Sequence, residues 1–130
     1  MYLLDTNICV PLINRTDAAI AKRFLVETPD SVVLCSVVRA ELDYGAHKSK
    51  HVAANIDRIE KFCSGFVSLA FDDAAAARYG SLRAHLRREG TPIGHNDMLI
   101  ASIALAHELV LVTRNLREFR RVPGLSAERW

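Results

Sequence analysis

In Leu109-Val110-Leu111-Val112, four apolar residues follow one another with no polar residue between them. Such a run is typical of a strand that is buried on both faces, as strands are in a parallel sheet covered by helices. Other short apolar runs predict further strands of the same sheet, and they are Tyr2–Leu4, Val32–Cys35, Phe66–Leu69 and Leu125–Ala127.

Longer segments with apolar residues at helical spacing separate these runs. They predict helices over residues 17–27, 37–46 (with Ser36 as the N-cap), 52–63, 72–88 and 96–107, and residues 114–124 are predicted to form a basic loop. Strands that alternate with helices indicate right-handed crossovers and a sheet with helices on both faces. We therefore expect an α/β protein with three α/β/α layers, a central, mostly parallel sheet of about five strands, and one domain over residues 1–130.

The composition excludes several classes of protein. The chain has 130 residues, of which 50% are hydrophobic and 25% charged, which is the balance of a globular domain and not of a disordered chain. Its three cysteines form no CxxC pattern, so we expect buried, reduced thiols.

No apolar run approaches the roughly 18 residues of a membrane-spanning helix, and a carboxylate at Asp5 comes too early for a signal peptide. The expected location is the cytoplasm, with no membrane partner.

The net charge is only +2, but the arginines are clustered. Clusters of this kind bind phosphate groups or form a solvated surface, and the sequence leaves both interpretations open. The first cluster lies in a predicted helix and the second in the basic loop; together they are Arg78, Arg83, Arg87, Arg88, Arg114, Arg117, Arg120 and Arg121.

Three acids occupy positions where reactive groups gather in parallel sheets. Asp5 follows the first strand, Asp97 begins a helix, and Glu41 shares a helical face with the apolar Val37 and Val38. Taken singly, Asp5 and Asp97 have a plain alternative as helix caps. Taken together, a convergent set of carboxylates predicts a site for a divalent cation, because the cation offsets their mutual repulsion.

Four motifs in order resemble those of the PIN-domain family, and they span nearly the whole chain. They are Leu3-Leu4-Asp5-Thr6-Asn7, Ala40-Glu41-Leu42, Gly94-His95-Asn96-Asp97-Met98-Leu99-Ile100-Ala101 and Val112-Thr113-Arg114-Asn115-Leu116-Arg117-Glu118-Phe119. The closing residues 121–130 resemble the tail of VapC-type toxins within that family. Many relatives carry Asp where this chain has Asn115, so Glu118 is the alternative fourth acid.

The resemblance implies a metal-dependent endoribonuclease that acts as the toxin of a type II toxin–antitoxin pair. Asp5, Glu41 and Asp97 are then expected to hold Mg²⁺, with Mn²⁺ as a substitute, and Glu118 and Asn115 to assist. Thr6, Asn7 and Thr113 are expected to orient these groups, although both threonines have the alternative of capping a helix. Arg114 and Arg117 are expected to contact substrate phosphates.

The same resemblance implies partners. We expect a homodimer, an antitoxin of the VapB type that covers the acidic site, and an RNA substrate with folded structure, such as tRNA. Two other functions remain possible at this stage: a phosphatase of the haloacid dehalogenase type, for which Asn7 stands where a second Asp is needed, and a PIN-like Mg²⁺-binding module without a toxin role. A phospho-receiver domain fits less well, since it needs adjacent acids after the first strand.

Overall fold

The computed structural model describes all 130 residues and contains five short strands. All neighbouring strands pair in parallel, in the order β3-β2-β1-β4-β5, so the first strand of the chain is the centre of the sheet. The predicted three-layer α/β/α architecture is confirmed. The strands are β1 (Tyr2–Leu4), β2 (Val32–Cys35), β3 (Ser68–Leu69), β4 (Val110–Val112) and β5 (Ser126–Glu128).

Seven α-helices connect and cover the strands, and a short 3-10 helix precedes β2. Side-chain caps define three helix starts, because Asp5 accepts from the backbone of Thr6, Asp17 accepts from Ala19 and Ile20, and Asp72 accepts from Ala75. The helices are α1 (Thr6–Asn14), α2 (Ala18–Leu25), α3 (Ser36–His47), α4 (Val52–Cys63), α5 (Asp73–Glu89), α6 (His95–Ala106) and α7 (Leu116–Phe119).

One continuous hydrophobic core lies on both faces of the sheet. All four residues of β2 are buried, as expected of a strand in the middle layer of a three-layer fold, and α6 buries half of its residues against the sheet. The three cysteines are free and buried, and burial raises the pKa of Cys9 and of Cys35, so neither thiol is poised to act as a nucleophile. No helix combines the length and the apolar character that crossing a membrane requires.

Helix α1 was absent from the sequence prediction. Its residues are almost continuously apolar and include Pro11, which hides helical spacing and disfavours a helix interior. Tertiary packing decides the outcome, because Ile8 and Cys9 are fully buried against the core and the Asp5 side chain accepts from the first backbone N–H of the helix.

The other differences lie at element ends. Ser36 is the first residue of α3 and not its N-cap, and no side chain caps that helix. The predicted third strand shrinks to two residues, and the last strand lies one residue later than expected. The basic loop contains the one-turn helix α7, whose Phe119 is 1% exposed and anchors it to the core.

Candidate active site

The predicted acids are brought together at one edge of the sheet. Asp5 directly follows β1, Glu41 lies on α3 after β2, and Glu118 lies on α7 after β4. Because every strand pair is parallel, these positions share the edge at the carboxyl ends of the strands. Asp97 joins them from the first turn of α6.

Asp5 is the most buried of the four acids, at 5% exposed. One carboxylate oxygen accepts from the backbone N–H of Thr6 at 2.8 Å, and the other accepts from the Thr113 hydroxyl at 2.7 Å. Desolvation raises the pKa of Asp5 even though these two hydrogen bonds lower it, and the nearby Glu41 raises it further. The side chain is therefore both a helix cap and a carboxylate held in a fixed orientation.

The two threonines bind carboxylates and do not cap helices, which corrects the alternative interpretation of their hydroxyls. Thr6 donates its hydroxyl to Glu41 at 2.7 Å, and Thr113 donates to Asp5. Thr113 also accepts from the backbone N–H of Asn115 at 2.9 Å and from the Asn7 amide at 3.4 Å. A single hydroxyl thus ties the end of β4 to the start of α1.

Asp97 has the most perturbed carboxyl group of the site. Burial raises its pKa to about 7, with further contributions from a hydrogen bond to Glu118 and from the charges of Asp5, Glu118 and Glu41. Asp97 and Glu118 therefore lie close together, and a hydrogen bond between their carboxyl groups needs a proton on one of them. The four predicted acids therefore lie near enough to act on one another electrostatically.

An open cleft of about 430 Å³ gives access to two of the acids, Glu41 and Asp97. Its lining is entirely polar or glycine and consists of Glu41, Gly94, His95, Asn96 and Asp97. His95 is exposed at this cleft. A cleft of this kind accepts a polar, charged substrate and offers no apolar pocket for a drug-like ligand.

The donor chemistry of the cleft fits a divalent cation. Its ligands are carboxylate oxygens, which hard cations such as Mg²⁺ and Mn²⁺ prefer, and no arginine or lysine forms an ion pair with any of the four acids. No three His, Cys, Asp or Glu side chains are gathered closely enough to form a complete ligand set on their own. Water and substrate oxygens would have to complete the coordination, as they commonly do for Mg²⁺.

The predicted phosphate-binding arginines differ in their surroundings. The guanidinium of Arg114 forms an ion pair with Asp17, the N-cap of α2, and its backbone N–H donates to Asn7 at 3.0 Å. Arg117 is exposed and forms no ion pair. In this structure Arg114 braces the loop after β4, and Arg117 is free to meet a substrate.

The structure adds two residues that sequence reasoning did not connect with the site. Asp17 holds Arg114, and Arg129 donates to the backbone oxygen of Arg114 at 3.3 Å. Asp17 and Arg114 are far apart along the chain, and a capping Asp or a basic loop gives no pairing signal. Only the fold reveals that α2 and the last residues support the loop that carries Thr113 and Asn115.

Comparisons with known proteins agree with the motifs. The sequence profile of the PIN domain matches residues 2–125. The chain is 40% identical to the ribonuclease VapC2 of Rickettsia felis over 131 residues, which cover 100% of this chain and 98% of that protein. It is 42% identical to the tRNA(fMet)-specific endonuclease VapC of Shigella flexneri over 99% of this chain and 97% of that protein.

The fold of the chain also matches solved structures of VapBC complexes. The structure of VapBC2 from Rickettsia felis bound to a DNA fragment from its promoter superposes with a TM-score of 0.93 at 38% identity, over 99% of this chain and 98% of that chain. The structure of DNA-bound VapBC from Salmonella typhimurium superposes with a TM-score of 0.92 at 41% identity, over 99% of this chain and 97% of that chain. The four motifs are in place, their acids lie at one edge of the sheet, and the relatives match along nearly their full length. This chain therefore belongs to the PIN-domain family, among the VapC ribonucleases.

Proposed function

We propose that this VapC ribonuclease is the toxin of a type II toxin–antitoxin pair and cleaves RNA with Mg²⁺, or Mn²⁺ in its place, at Asp5, Glu41 and Asp97. The observation that carries the proposal is the convergence of these acids at one edge of the sheet, where burial, together with the hydrogen bond to Glu118 and the charges of Asp5, Glu118 and Glu41, raises the pKa of Asp97 to about 7. A protein tolerates such repulsion where a cation relieves it during function. VapC nucleases of the PIN-domain family generally depend on a divalent metal.

Each residue has a defined task in this proposal. Asp5, Glu41 and Asp97 hold the cation, which when bound supplies Lewis-acid stabilisation of the phosphoryl charge and an activated water. The hydroxyls of Thr113 and Thr6 fix the orientations of Asp5 and Glu41 through their 2.7 Å hydrogen bonds. Glu118 contacts Asp97 and so completes the acidic edge.

The neighbours of the loop after β4 have supporting tasks. Asn7 accepts from the backbone of Arg114 and contacts Thr113, so it keeps the loop in register with α1. Asn115, whose backbone N–H donates to Thr113, would offer a neutral amide oxygen as a supporting ligand. Arg117 binds a substrate phosphate, whereas Arg114 does so only after leaving Asp17.

For the substrate we propose a structured RNA, and tRNA in the first place. The support is the 42% identity with an endonuclease specific for tRNA(fMet). For partners we propose an antitoxin of the VapB type, because the matched structures are VapBC complexes, and a homodimer of the toxin. An antitoxin arginine that pairs with the clustered acids would be a natural inhibitor. The proposed working form is a single PIN domain over residues 1–130 in the cytoplasm.

The deciding experiment is an RNA cleavage assay with purified protein. Initiator tRNA and an unstructured RNA of equal length are incubated with Mg²⁺, with Mn²⁺ or with EDTA. We expect cleavage of the tRNA with either metal, none in EDTA, and inhibition by the cognate antitoxin. Undiminished cleavage in EDTA would refute the metal site, and hydrolysis of a phosphate monoester in place of RNA would favour the phosphatase alternative.

A further inference from the structure

The basic residues of the chain are concentrated in two segments. Residues 78–89 and 114–121 contain eight of the seventeen lysines and arginines but only two of the fifteen acids, Glu89 and Glu118. The two segments therefore carry a formal charge of +6, whereas the rest of the chain carries −4. The small net charge of the protein conceals this separation.

The fold places the ends of these segments side by side. The guanidinium of Arg121 donates to the backbone oxygen of Pro92, just beyond α5, at 3.0 Å. His85 on α5 and Pro123 after α7 line the same cavity of about 540 Å³. The end of α5 and the surroundings of α7 thus form one surface, which we name the arginine ridge: Arg87, Arg88, Arg117, Arg120 and Arg121.

The ridge arginines are available to a ligand. All five are exposed, and none takes part in an ion pair, since the ion pairs of the structure use other basic residues. On α7, Phe119 points into the core and Glu118 contacts Asp97, so Arg117 and Arg120 are left on the solvent side one turn apart. The same helix therefore presents an acid to the cleft and arginines beside it.

Helix electrostatics account for only part of the ridge. Arg87 and Arg88 lie in the last turn of α5, where a positive charge is favourable whatever its function. A four-residue helix such as α7 gives no such benefit to Arg117 or Arg120. The cleft itself is acidic and repels a polyanion, so an RNA substrate needs an attractive surface next to it.

Building on the ribonuclease function proposed above, we propose that the arginine ridge binds the sugar–phosphate backbone of RNA beside the acidic cleft. The ridge begins at Arg117, next to the acid that contacts Asp97, and continues over Arg120 and Arg121 to the end of α5. This surface supplies affinity without reading the sequence, because phosphate contacts carry no base information. Arg114 is outside the ridge, since it is paired with Asp17.

The test is the salt dependence of RNA binding in EDTA, where no cleavage competes. A fluorescein-labelled single-stranded RNA is titrated with the full chain at several KCl concentrations, and the slope of log Kd against log salt is compared between variants. In Arg117→Gln/Arg120→Gln, two phosphate contacts are lost, so the slope should fall by about 0.7 per arginine and binding at low salt should weaken about tenfold or more. The lysine pair Arg117→Lys/Arg120→Lys should keep the slope, because the charge remains.

Control variants separate a local effect from a change of net charge. Lys22→Gln/Lys50→Gln removes two exposed charges elsewhere and should leave the slope near that of the unmodified protein. Arg87→Gln/Arg88→Gln tests the far end of the ridge and should reduce the slope as the first pair does. Circular dichroism melting confirms that each variant is folded.

The inference fails if the ridge variants keep the unmodified slope, or if they weaken binding of the antitoxin and not of RNA. The proposed function is judged separately by metal-dependent cleavage of tRNA. A protein that cleaves tRNA normally but shows no ridge effect would refute the ridge alone, whereas a protein that neither binds nor cleaves RNA would refute both.

Discussion

At the scale of single residues, Asp97 shows how a carboxylate can be costly to the fold and useful to the chemistry. It lies in the first turn of α6, which favours a negative charge, yet burial and three neighbouring acids raise its pKa to about 7. The unfavourable environment outweighs the helix dipole. The position is thus set by the site and not by the needs of the helix.

We expect Asp97→Asn to abolish RNA cleavage and to leave the melting temperature in EDTA unchanged or raised. The amide removes a charge that the folded protein tolerates poorly, while a cation ligand is lost. Differential scanning fluorimetry in EDTA, beside the tRNA assay, checks both parts. A clear drop in melting temperature would show that Asp97 is mainly a structural cap.

The raised pKa of Asp97 also predicts a pH dependence in EDTA. The folded group binds its proton up to about pH 7, whereas the unfolded group releases it near its ordinary value of 3.8. Between these values the folded state binds more protons, so the Asp97 contribution to stability falls as pH rises towards 7 and is constant above it. Melting temperatures measured from pH 4 to 8 should show a smaller decline in Asp97→Asn than in the unmodified protein, and equal declines would contradict the assignment.

Glu118 carries a separate prediction. Glu118→Gln keeps the shape of the side chain but removes the charge that helps to hold the metal, so the Mg²⁺ concentration for half-maximal cleavage should rise about tenfold or more. Asn115→Ala should give a smaller rise, as expected of a supporting ligand. Metal titration of the cleavage rate measures both. Normal cleavage by Glu118→Gln at limiting Mg²⁺ would mean that three acids suffice and that Glu118 belongs to the surface.

At the scale of elements, the junction of β4, α1 and α7 depends on one hydroxyl. Thr113 donates to Asp5 and accepts from the backbone of Asn115. Thr113→Val keeps the volume but leaves both partners without their hydrogen bond, so the free energy of unfolding should fall by about 1–3 kcal/mol and cleavage should drop. Thr113→Ser restores the hydroxyl and should recover most of the unfolding free energy and most of the cleavage activity. Urea unfolding and the tRNA assay measure these two effects. Equal behaviour of the Val and Ser variants would refute the role of the Thr113 hydroxyl.

The elements differ in how well the sequence predicts them. β2 and β4 are short, apolar and bounded by polar residues, so their pattern is enough to place them. Helix α1 has no helical periodicity, and α7 is a single turn inside a basic segment, so both depend on core packing that only the fold supplies. Asp5 and Glu41 are predictable as site residues because their position after a strand and their motifs are local in the sequence. The Arg114–Asp17 pair is not predictable, because only the fold brings these two distant residues together.

At the scale of the whole molecule, the structure separates an acidic cleft from a basic surface around it. A cation that binds only the folded state stabilises it by mass action, by about 2.7 kcal/mol at a hundred times its dissociation constant. The melting temperature should therefore rise with Mg²⁺ or Mn²⁺, and Asp5→Asn/Asp97→Asn should lose most of this rise. Scanning fluorimetry over a metal titration measures this rise in melting temperature, with KCl at matched ionic strength as the control. An equal rise in the double variant would mean that the cation binds elsewhere.

The central position of β1 has a consequence for synthesis on the ribosome. β1 pairs with β2 and with β4, and β4 is complete only after residue 112 has been added. The acids that form the cleft are likewise spread from Asp5 to Glu118. A growing chain therefore has no assembled cleft until Glu118 has left the exit tunnel. The cell that makes this toxin is therefore not exposed to its activity while the strands and helices that precede Glu118 are being made.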